Sequence, residues 1–348
     1  MMRWVILLVL VLAIHAVDEG DWVDPYDLPI GFAVKSFYAG HLDILGGKQL
    51  YYVYTPSMKN PSKDPVVFVL SPGPGCSALY GWLYGYGEFT FTRDSDSFRV
   101  NPYPLNKEAN VIYLEAPAGV GYTIGVEEKI GDEVTQWEYY RAILRFYEKF
   151  PELKDQELYL AGNHYAGIIA PKLLRNIYEH NQDPTKAAWT KLKNIKGMIL
   201  FNPCTMHDEC ESHFPFNSYT VDYLHKHFFI SDEDKQEFDE ECYIRSPSCI
   251  HIEEKIEADF RSSGADTRNI FKECLHQVGP YGCLDHKGID AFMNKPEVKT
   301  DMHAESEHKW EVCNFTLMEQ YERDKQGSLH DYEALLKEER GLRIVSLC

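Results

Sequence analysis

The residues with the clearest potential for chemistry form the turn at 162–167, which reads GNHYAG. An apolar, strand-like segment precedes this turn and a helix-like segment follows it, so the chain reverses sharply there. Small residues at Gly162 and Gly167 permit such a reversal. Enzymes built on a strand–turn–helix elbow place a nucleophile at its apex, above the end of a sheet. Here the apex is His164, and no other G-x-S-x-G pattern occurs in the chain.

Three interpretations of His164 stay open. We favour a polar residue tolerated at an abandoned site, because an exposed apex restricts side-chain identity little. A His that binds or transfers a ligand is the second, since imidazole titrates near neutrality. A metal ligand is the third, but no partner ligand lies at useful spacing, so neither a metal nor a cofactor is expected.

Alternating strand and helix patterns surround the turn. Apolar runs predict strands at 49–54, 65–70, 110–115, 157–161 and 195–201, and helices at 132–150, 168–180 and 328–340. This alternation predicts an α/β fold with a mostly parallel sheet covered by helices on both faces. Residues 203–305 are polar and helical in pattern, which predicts an inserted cap between core segments 17–202 and 306–348. The last residues, 342–348, return to strand character and are expected to form a core strand.

Composition and the first residues indicate a secreted globular protein. The net charge of −19 over 348 residues disfavours nucleic acid and anionic lipid as partners. Arg3, the apolar run at 4–14 and Ala16 predict a signal peptide over 1–16. A membrane anchor is the rival interpretation, but the run is shorter than the roughly 20 residues needed to span a bilayer. No later segment is apolar enough to span.

Cysteine usage agrees with an oxidising compartment. The nine cysteines leave one unpaired, for which Cys348 is the natural candidate. Local spacing favours three pairs, with Cys76 and Cys313 left over: Cys204–Cys210, Cys242–Cys249 and Cys274–Cys283. No CxxC pair exists, so zinc is disfavoured. Asn314-Phe315-Thr316 is an N-glycosylation sequon.

Several motifs together resemble the serine carboxypeptidase family. The family writes its elbow G-E-S-Y-A-G, where this chain has GNHYAG, and its N-G-G-P-G-C-S-S corresponds to residues 71–78, SPGPGCSA. The family's N-x-x-Y-L-E-x-P-A-G-V-G-Y/F corresponds to 110–122, and its W-x-V-C-N to 310–314. The likeness runs from about residue 26 to the end of the sequence. It implies an α/β-hydrolase fold, an activity that releases C-terminal amino acids from peptides, and a disulfide between Cys76 and Cys313.

The departures from the family pattern fall on its site residues. The nucleophile position holds His164. The positions that recognise a substrate's terminal carboxylate form a degenerate clamp here: Ser71, Pro72, Gly85 and Asn163. Pro72 has no backbone N–H to donate. Gly73 and Tyr165 match the family's oxyanion-hole backbone donors, so we expect that part of the geometry to survive.

The family's triad Asp and His would follow the strand that this sequence enters at 342–348, so a C-terminally truncated domain is expected, with no triad member in place. Our leading hypothesis is a catalytically inactive carboxypeptidase homologue that binds a peptide or another protein in the secretory pathway, extracellularly or in a lysosome or vacuole. The alternatives are an altered serine-type carboxypeptidase or acyltransferase, and a fragment or isoform. An uncovered strand at 342–348 would also favour a homodimer.

Overall fold

The computed structural model describes residues 19–30, 35–92, 97–125, 129–206, 218–243, 246–266, 269–274, 287–304, 306, 308–324, 326–338 and 341–347.

A mixed eight-stranded sheet organises these residues, with the strand order β1-β2-β3-β7-β4-β8-β9-β12. Its strands are β1 (Trp22–Val23), β2 (Phe37–Asp43), β3 (Gln49–Thr55), β4 (Val66–Leu70), β7 (Asn110–Leu114), β8 (Leu158–His164), β9 (Ile195–Pro203) and β12 (Arg343–Leu347). Pairing is antiparallel from β1 to β7 and parallel from β7 to β12. β4 and β7 are buried along their whole length, as continuous apolar runs in a covered parallel sheet should be.

Helices cover the sheet. They are α1 (Asp132–Lys149), α2 (Ala166–Gln182), α3 (Ser218–Lys226), α4 (Asp232–Glu241), α5 (Pro247–Ser262), α6 (Lys287–Met293), α7 (Pro296–Asp301), α8 (Phe315–Gln320) and α9 (Leu329–Glu338). A helical turn at Leu79–Gly81 continues into a π-helix at Trp82–Tyr86. Short 3₁₀ turns lie at Glu19–Asp21, Leu105–Lys107, Pro151–Leu153 and Ala188–Thr190. No helix in the described ranges is both long and apolar enough to cross a membrane.

Two apolar cores lie on opposite faces of the sheet. One packs α1 and α2 against it through aromatic side chains such as Phe68, Phe146 and Phe150. The other packs the π-helix, α6 and α7 against it around Trp82 and Trp310. The expected mostly parallel sheet between two helical layers is confirmed, with each predicted core element within a few residues of its observed bounds.

The polar region at 203–305 divides into two parts. Helices α3, α4 and α5 share a small core of their own around Ile252, Ile256 and Phe260. Serine N-caps start two of these helices: Ser231 accepts from the Asp234 amide and Ser246 from the Cys249 amide. A hairpin follows, β10 (Ala265–Asp266) with β11 (Asn269–Glu273). In contrast, α6 and α7 pack on the main sheet. A further hairpin, β5 (Phe89–Thr92) with β6 (Ser97–Val100), follows the π-helix.

Strand β12 joins the main sheet at its outer end. It pairs in parallel with β9 and is the outermost strand of the sheet in the described part of the chain. Val345 is 44% exposed and Leu347 50% exposed. The prediction of a parallel-sheet strand at 342–348 is therefore confirmed, and its exposed outer side agrees with the expected uncovered strand.

Candidate functional site

The turn at 162–167 is the sharp elbow that its sequence predicts. β8 ends at His164, Tyr165 alone separates the two elements, and α2 begins at Ala166. The backbone of His164 is left-handed, with φ 53°, a region that His tolerates better than most residues. A Cβ at Gly162 would lie 2.4 Å from the Ala166 Cβ, and one at Gly167 would lie 2.3 Å from the Cys204 carbonyl oxygen. Both glycines are therefore required by close approach of the chain.

His164 projects from this elbow as an exposed side chain. Its Nδ1 lies 3.1 Å from the Pro72 carbonyl oxygen, so this nitrogen carries the proton that the carbonyl accepts. The ring is thus anchored to the loop that follows β4. This contact joins two segments that the sequence motifs mark separately.

The proposed oxyanion positions also meet at this place. A Cβ on Gly73 would lie 3.9 Å from His164 Nδ1 and 3.8 Å from the Tyr165 Cβ. However, the Tyr165 amide donates to the Pro72 carbonyl at 2.9 Å. Because an oxyanion hole needs donors aimed at the developing charge, the Tyr165 amide is not open for that role here. The Gly73 amide has no hydrogen bond among the described residues.

The four clamp positions are arranged unequally. Ser71 is buried: its amide donates to the Tyr139 hydroxyl at 2.8 Å, and its Oγ accepts from the Ala116 amide at 3.3 Å. The Ser71 hydroxyl therefore points into the protein interior rather than toward the site. Asn163 is half-buried at the end of β8, directly opposite Phe201 in β9.

Gly85 is the most open of the clamp positions. It lies exposed on the π-helix, and a Cβ at this position would meet no contact within 4 Å. The next residue, Tyr86, packs against Phe201 with ring centroids 5.3 Å apart. The π-helix therefore reaches the same sheet edge as Asn163, but no acidic side chain occupies either position.

Two supporting residues were missed by sequence reasoning. Tyr139 holds the Ser71 amide, and Asp132 accepts the Tyr165 hydroxyl at 2.7 Å. Both lie on α1, and helical periodicity identifies them only as members of its buried face. Nothing in their local sequence signals contacts to the elbow.

Glu115 is a further buried group that sequence reasoning did not assign to the site. It ends β7 fully buried, and its Oε1 accepts from the Ser77 hydroxyl and, at 3.2 Å, from Trp310 Nε1. Its Oε2 accepts from the Tyr122 amide at 2.8 Å. Burial raises the pKa of the Glu115 carboxyl to about 7, although all three hydrogen bonds oppose the rise.

A disulfide between Cys76 and Cys313 fixes the loop beside the elbow. Backbone hydrogen bonds flank it, from the Ser77 amide to Val312 at 2.8 Å and from the Asn314 amide to Gly75 at 2.7 Å. Cys242 and Cys249 are bonded to each other. Cys204 and Cys274 are also disulfide-bonded, while Cys210 and Cys283, the partners expected from spacing, lie outside the described residues, as does Cys348.

The sequon residue Asn314 has a structural task. Its side-chain oxygen accepts from the Leu317 amide at 3.1 Å and so caps α8. Its Nδ2 donates to the Gly119 carbonyl at 3.2 Å. The amide nitrogen that a glycan would use is therefore engaged in the folded chain.

Known proteins resemble this chain along most of its length. The profile of the serine carboxypeptidase family matches residues 30–345. Serine carboxypeptidase-like 32 of Arabidopsis thaliana is 29% identical over 317 residues, covering 80% of this chain and 65% of the relative. The lysosomal protective protein of Mus musculus is 26% identical, with 87% and 72% covered. The chain thus spans slightly under two thirds of the length of the Arabidopsis relative.

A solved structure supports the fold independently. Kex1Δp, a prohormone-processing carboxypeptidase from Saccharomyces cerevisiae, superposes with a TM-score of 0.71 at 16% identity, covering 94% of this chain and 77% of that chain. The α/β-hydrolase fold expected from the motifs is confirmed. At this level of identity the likeness concerns the fold alone.

Proposed function

The chain belongs to the serine carboxypeptidase family, and we propose that it acts as a binding protein without ordinary serine-peptidase chemistry. The observation that carries the proposal is the shared acceptor at the elbow: His164 Nδ1 and the Tyr165 amide both contact the Pro72 carbonyl oxygen. A serine peptidase needs an activated hydroxyl at the apex and open amide donors beside it. Here the imidazole of His164 stands at the apex instead of a hydroxyl, and the Pro72 carbonyl oxygen accepts the Tyr165 amide that would serve as one of the donors.

The clamp positions support the same proposal. Recognition of a terminal carboxylate requires several donors or a shared proton. Ser71 faces inward, Pro72 has no N–H and Gly85 has no side chain. Among the clamp positions only the Asn163 side chain still offers a donor, and no acid remains to share a proton. We therefore propose that the ligand is a peptide or protein segment chosen without regard to a free C-terminus. The secretory route, with a lysosomal, vacuolar or extracellular end point, is the proposed location, and a homodimer is a proposed assembly.

Two assays on the purified chain test this proposal. The first is labelling with a fluorophosphonate serine-hydrolase probe, together with hydrolysis of an N-blocked dipeptide between about pH 4 and pH 8. We expect neither labelling nor turnover, from the chain itself or from a His164→Ser variant, because the Tyr165 amide stays bonded to Pro72. Labelling of a serine in the unaltered chain would refute the proposal.

The second assay measures peptide binding. A fluorescent peptide that binds the chain should do so equally well with a free C-terminal carboxylate and as its C-terminal amide. A clear preference for the free acid would show a working carboxylate site and would contradict the proposed degenerate clamp.

An altered carboxypeptidase or acyltransferase activity is the second candidate. The observation that favours it is the retained elbow geometry, with Gly73 still packed against His164 and Tyr165. An activity carried by His164 itself should disappear in the matched His164→Gln variant. Hydrolysis of the N-blocked dipeptide by the unaltered chain and by His164→Gln therefore separates the two candidate functions.

A further inference from the structure

A second concave site lies on the helical face of the sheet, and its lining does not include His164. This cleft lies between the first turns of α1, the middle of α2 and the segment that leads into α9. Its volume is about 750 Å³, within the range of small-molecule sites. Asp132, which accepts the Tyr165 hydroxyl, forms part of its wall.

The cleft contains an unsatisfied buried acceptor. Asp331 is 3% exposed, and its Oδ1 accepts from Arg175 at 3.2 Å. Its Oδ2 accepts no hydrogen bond from any residue in the described ranges; His330 Nε2 lies 3.3 Å away and forms an ion pair with it only when the imidazole is protonated. Since buried polar atoms normally find a partner, this oxygen indicates a missing hydrogen-bond donor.

The charges around this oxygen restrict what the donor is. Arg175 also pairs with Glu179, Lys172 pairs with Asp324, and Lys129 lies 4.0 Å from Glu322. A cationic ligand would meet Arg175 and Lys172, and an anionic one would meet Asp331 and Asp324. Either kind of charged ligand would lie beside lining groups of its own sign, Arg175 and Lys172 for a cation, and Asp324 and Glu133 for an anion. A neutral hydroxyl satisfies Asp331 without that cost.

The rest of the lining suits a polyhydroxylated molecule. Trp137 stands in the wall with 36% of its surface exposed, offering a flat apolar face. Close by, Asn176 Nδ2 donates to Gln136 Oε1 at 2.6 Å, and both side chains line the cleft. Amide groups offer donors and acceptors together, as paired sugar hydroxyls require.

We propose that this cleft binds a neutral oligosaccharide, whose ring packs on Trp137 while one hydroxyl donates to Asp331 Oδ2. The ligand is either a free oligosaccharide or a glycan carried by a glycoprotein. The proposal is independent of the proposed function of the elbow, so neither depends on the success of the other.

Isothermal titration calorimetry of the full chain tests the proposal. Neutral trisaccharides of mannose and of N-acetylglucosamine are compared with a cationic glucosamine trimer and an anionic galacturonate trimer. A high-mannose glycoprotein forms a separate arm that distinguishes the attached from the free source. We expect at least one neutral trisaccharide to bind at least tenfold more tightly than both charged relatives.

Three variants complete the test. Trp137→Ala and Asp331→Asn should each weaken binding at least fivefold, and the exposed position of Trp137 keeps its variant informative if Asp331→Asn folds poorly. Trp189→Ala removes a 65% exposed tryptophan outside the cleft and should leave affinity unchanged. The proposal is overturned if no neutral sugar binds in either arm, if a charged trimer binds more tightly, or if Trp137→Ala binds like the unaltered chain.

Discussion

Replacing Glu115 by Gln should remove a large part of the pH dependence of folding. The carboxyl is completely buried between the Ser77 hydroxyl, the Tyr122 amide and Trp310 Nε1. Burial disfavours its charged form, and its pKa rises from 4.5 to about 7 in the folded chain. The folded state therefore holds this proton more tightly than the unfolded state does.

The sign of the effect follows from proton linkage. Between pH 4.5 and about 7 the folded chain binds more protons at Glu115 than the unfolded chain, so stability falls as pH rises. The stabilisation that the Glu115 proton gives the folded state is fully present below pH 4.5 and is lost as pH rises through about 7. At about 1.4 kcal/mol per pKa unit, the difference from 4.5 to about 7 corresponds to about 3 kcal/mol. Glu115 should thus favour the folded state at acidic pH, the direction that suits the proposed lysosomal or vacuolar end point.

Urea denaturation of the unaltered chain and of Glu115→Gln, at about pH 5 and about pH 8, measures this effect. The unaltered chain should lose about 2.5 kcal/mol more than the variant over this interval, because part of the Glu115 contribution is already lost at about pH 5 and Gln keeps the shape of the side chain without its charge. Glu254→Gln alters an exposed carboxyl on α5 and serves as the control, which should follow the unaltered chain. Parallel stability curves for the unaltered chain and Glu115→Gln would refute the reasoning.

Three further changes have expected outcomes. Gly167→Ala should destabilise the fold by more than about 2 kcal/mol in thermal melts, because its Cβ would lie 2.3 Å from the Cys204 carbonyl oxygen. Gly85→Ala is the control: it has open space around it and should change stability by under about 0.5 kcal/mol. Equal effects of the two substitutions would contradict the close-approach argument. Removing the Cys76–Cys313 disulfide, which closes a separation of 237 residues, should lower the free energy of unfolding by about 5 kcal/mol in denaturant titrations, the value expected from loop entropy. Peptide maps made without reduction should contain the linked pair. Asn314→Ala should cost about 1–2 kcal/mol in thermal melts through loss of the α8 cap, and Asn314→Asp should cost less because it keeps the acceptor for the Leu317 amide; neither variant can carry a glycan, so the comparison isolates the cap.

Local patterns were enough to predict most of the core elements, although β2 was not among them. The run VVFVL gave β4 and DEVTQWEYYRAILRFYEK gave α1, because hydrophobic period and the acidic first turn are properties of neighbouring residues. The elbow was predictable for the same reason: its glycines and its strand-to-helix change lie within six residues. Contacts between distant residues were not predictable in this way. Tyr139 meets Ser71 across 68 positions of sequence, and the pairing partner of Arg343–Leu347 depends on the whole strand order.

The elbow shows how such distant contacts decide chemistry. Pro72 and His164 are 92 residues apart, yet they meet at one carbonyl oxygen, which also takes the Tyr165 amide. Because Tyr165 is buried, its amide would lack a partner without this carbonyl, and an unpaired buried amide costs about 1–3 kcal/mol. The Pro72 carbonyl removes that cost and at the same time orients the imidazole. A serine hydroxyl placed at position 164 alone would therefore lie beside a Tyr165 amide that is already bonded to the Pro72 carbonyl. For this elbow to act as a serine hydrolase, the Tyr165 amide would have to be freed from Pro72 and His164 would have to be replaced.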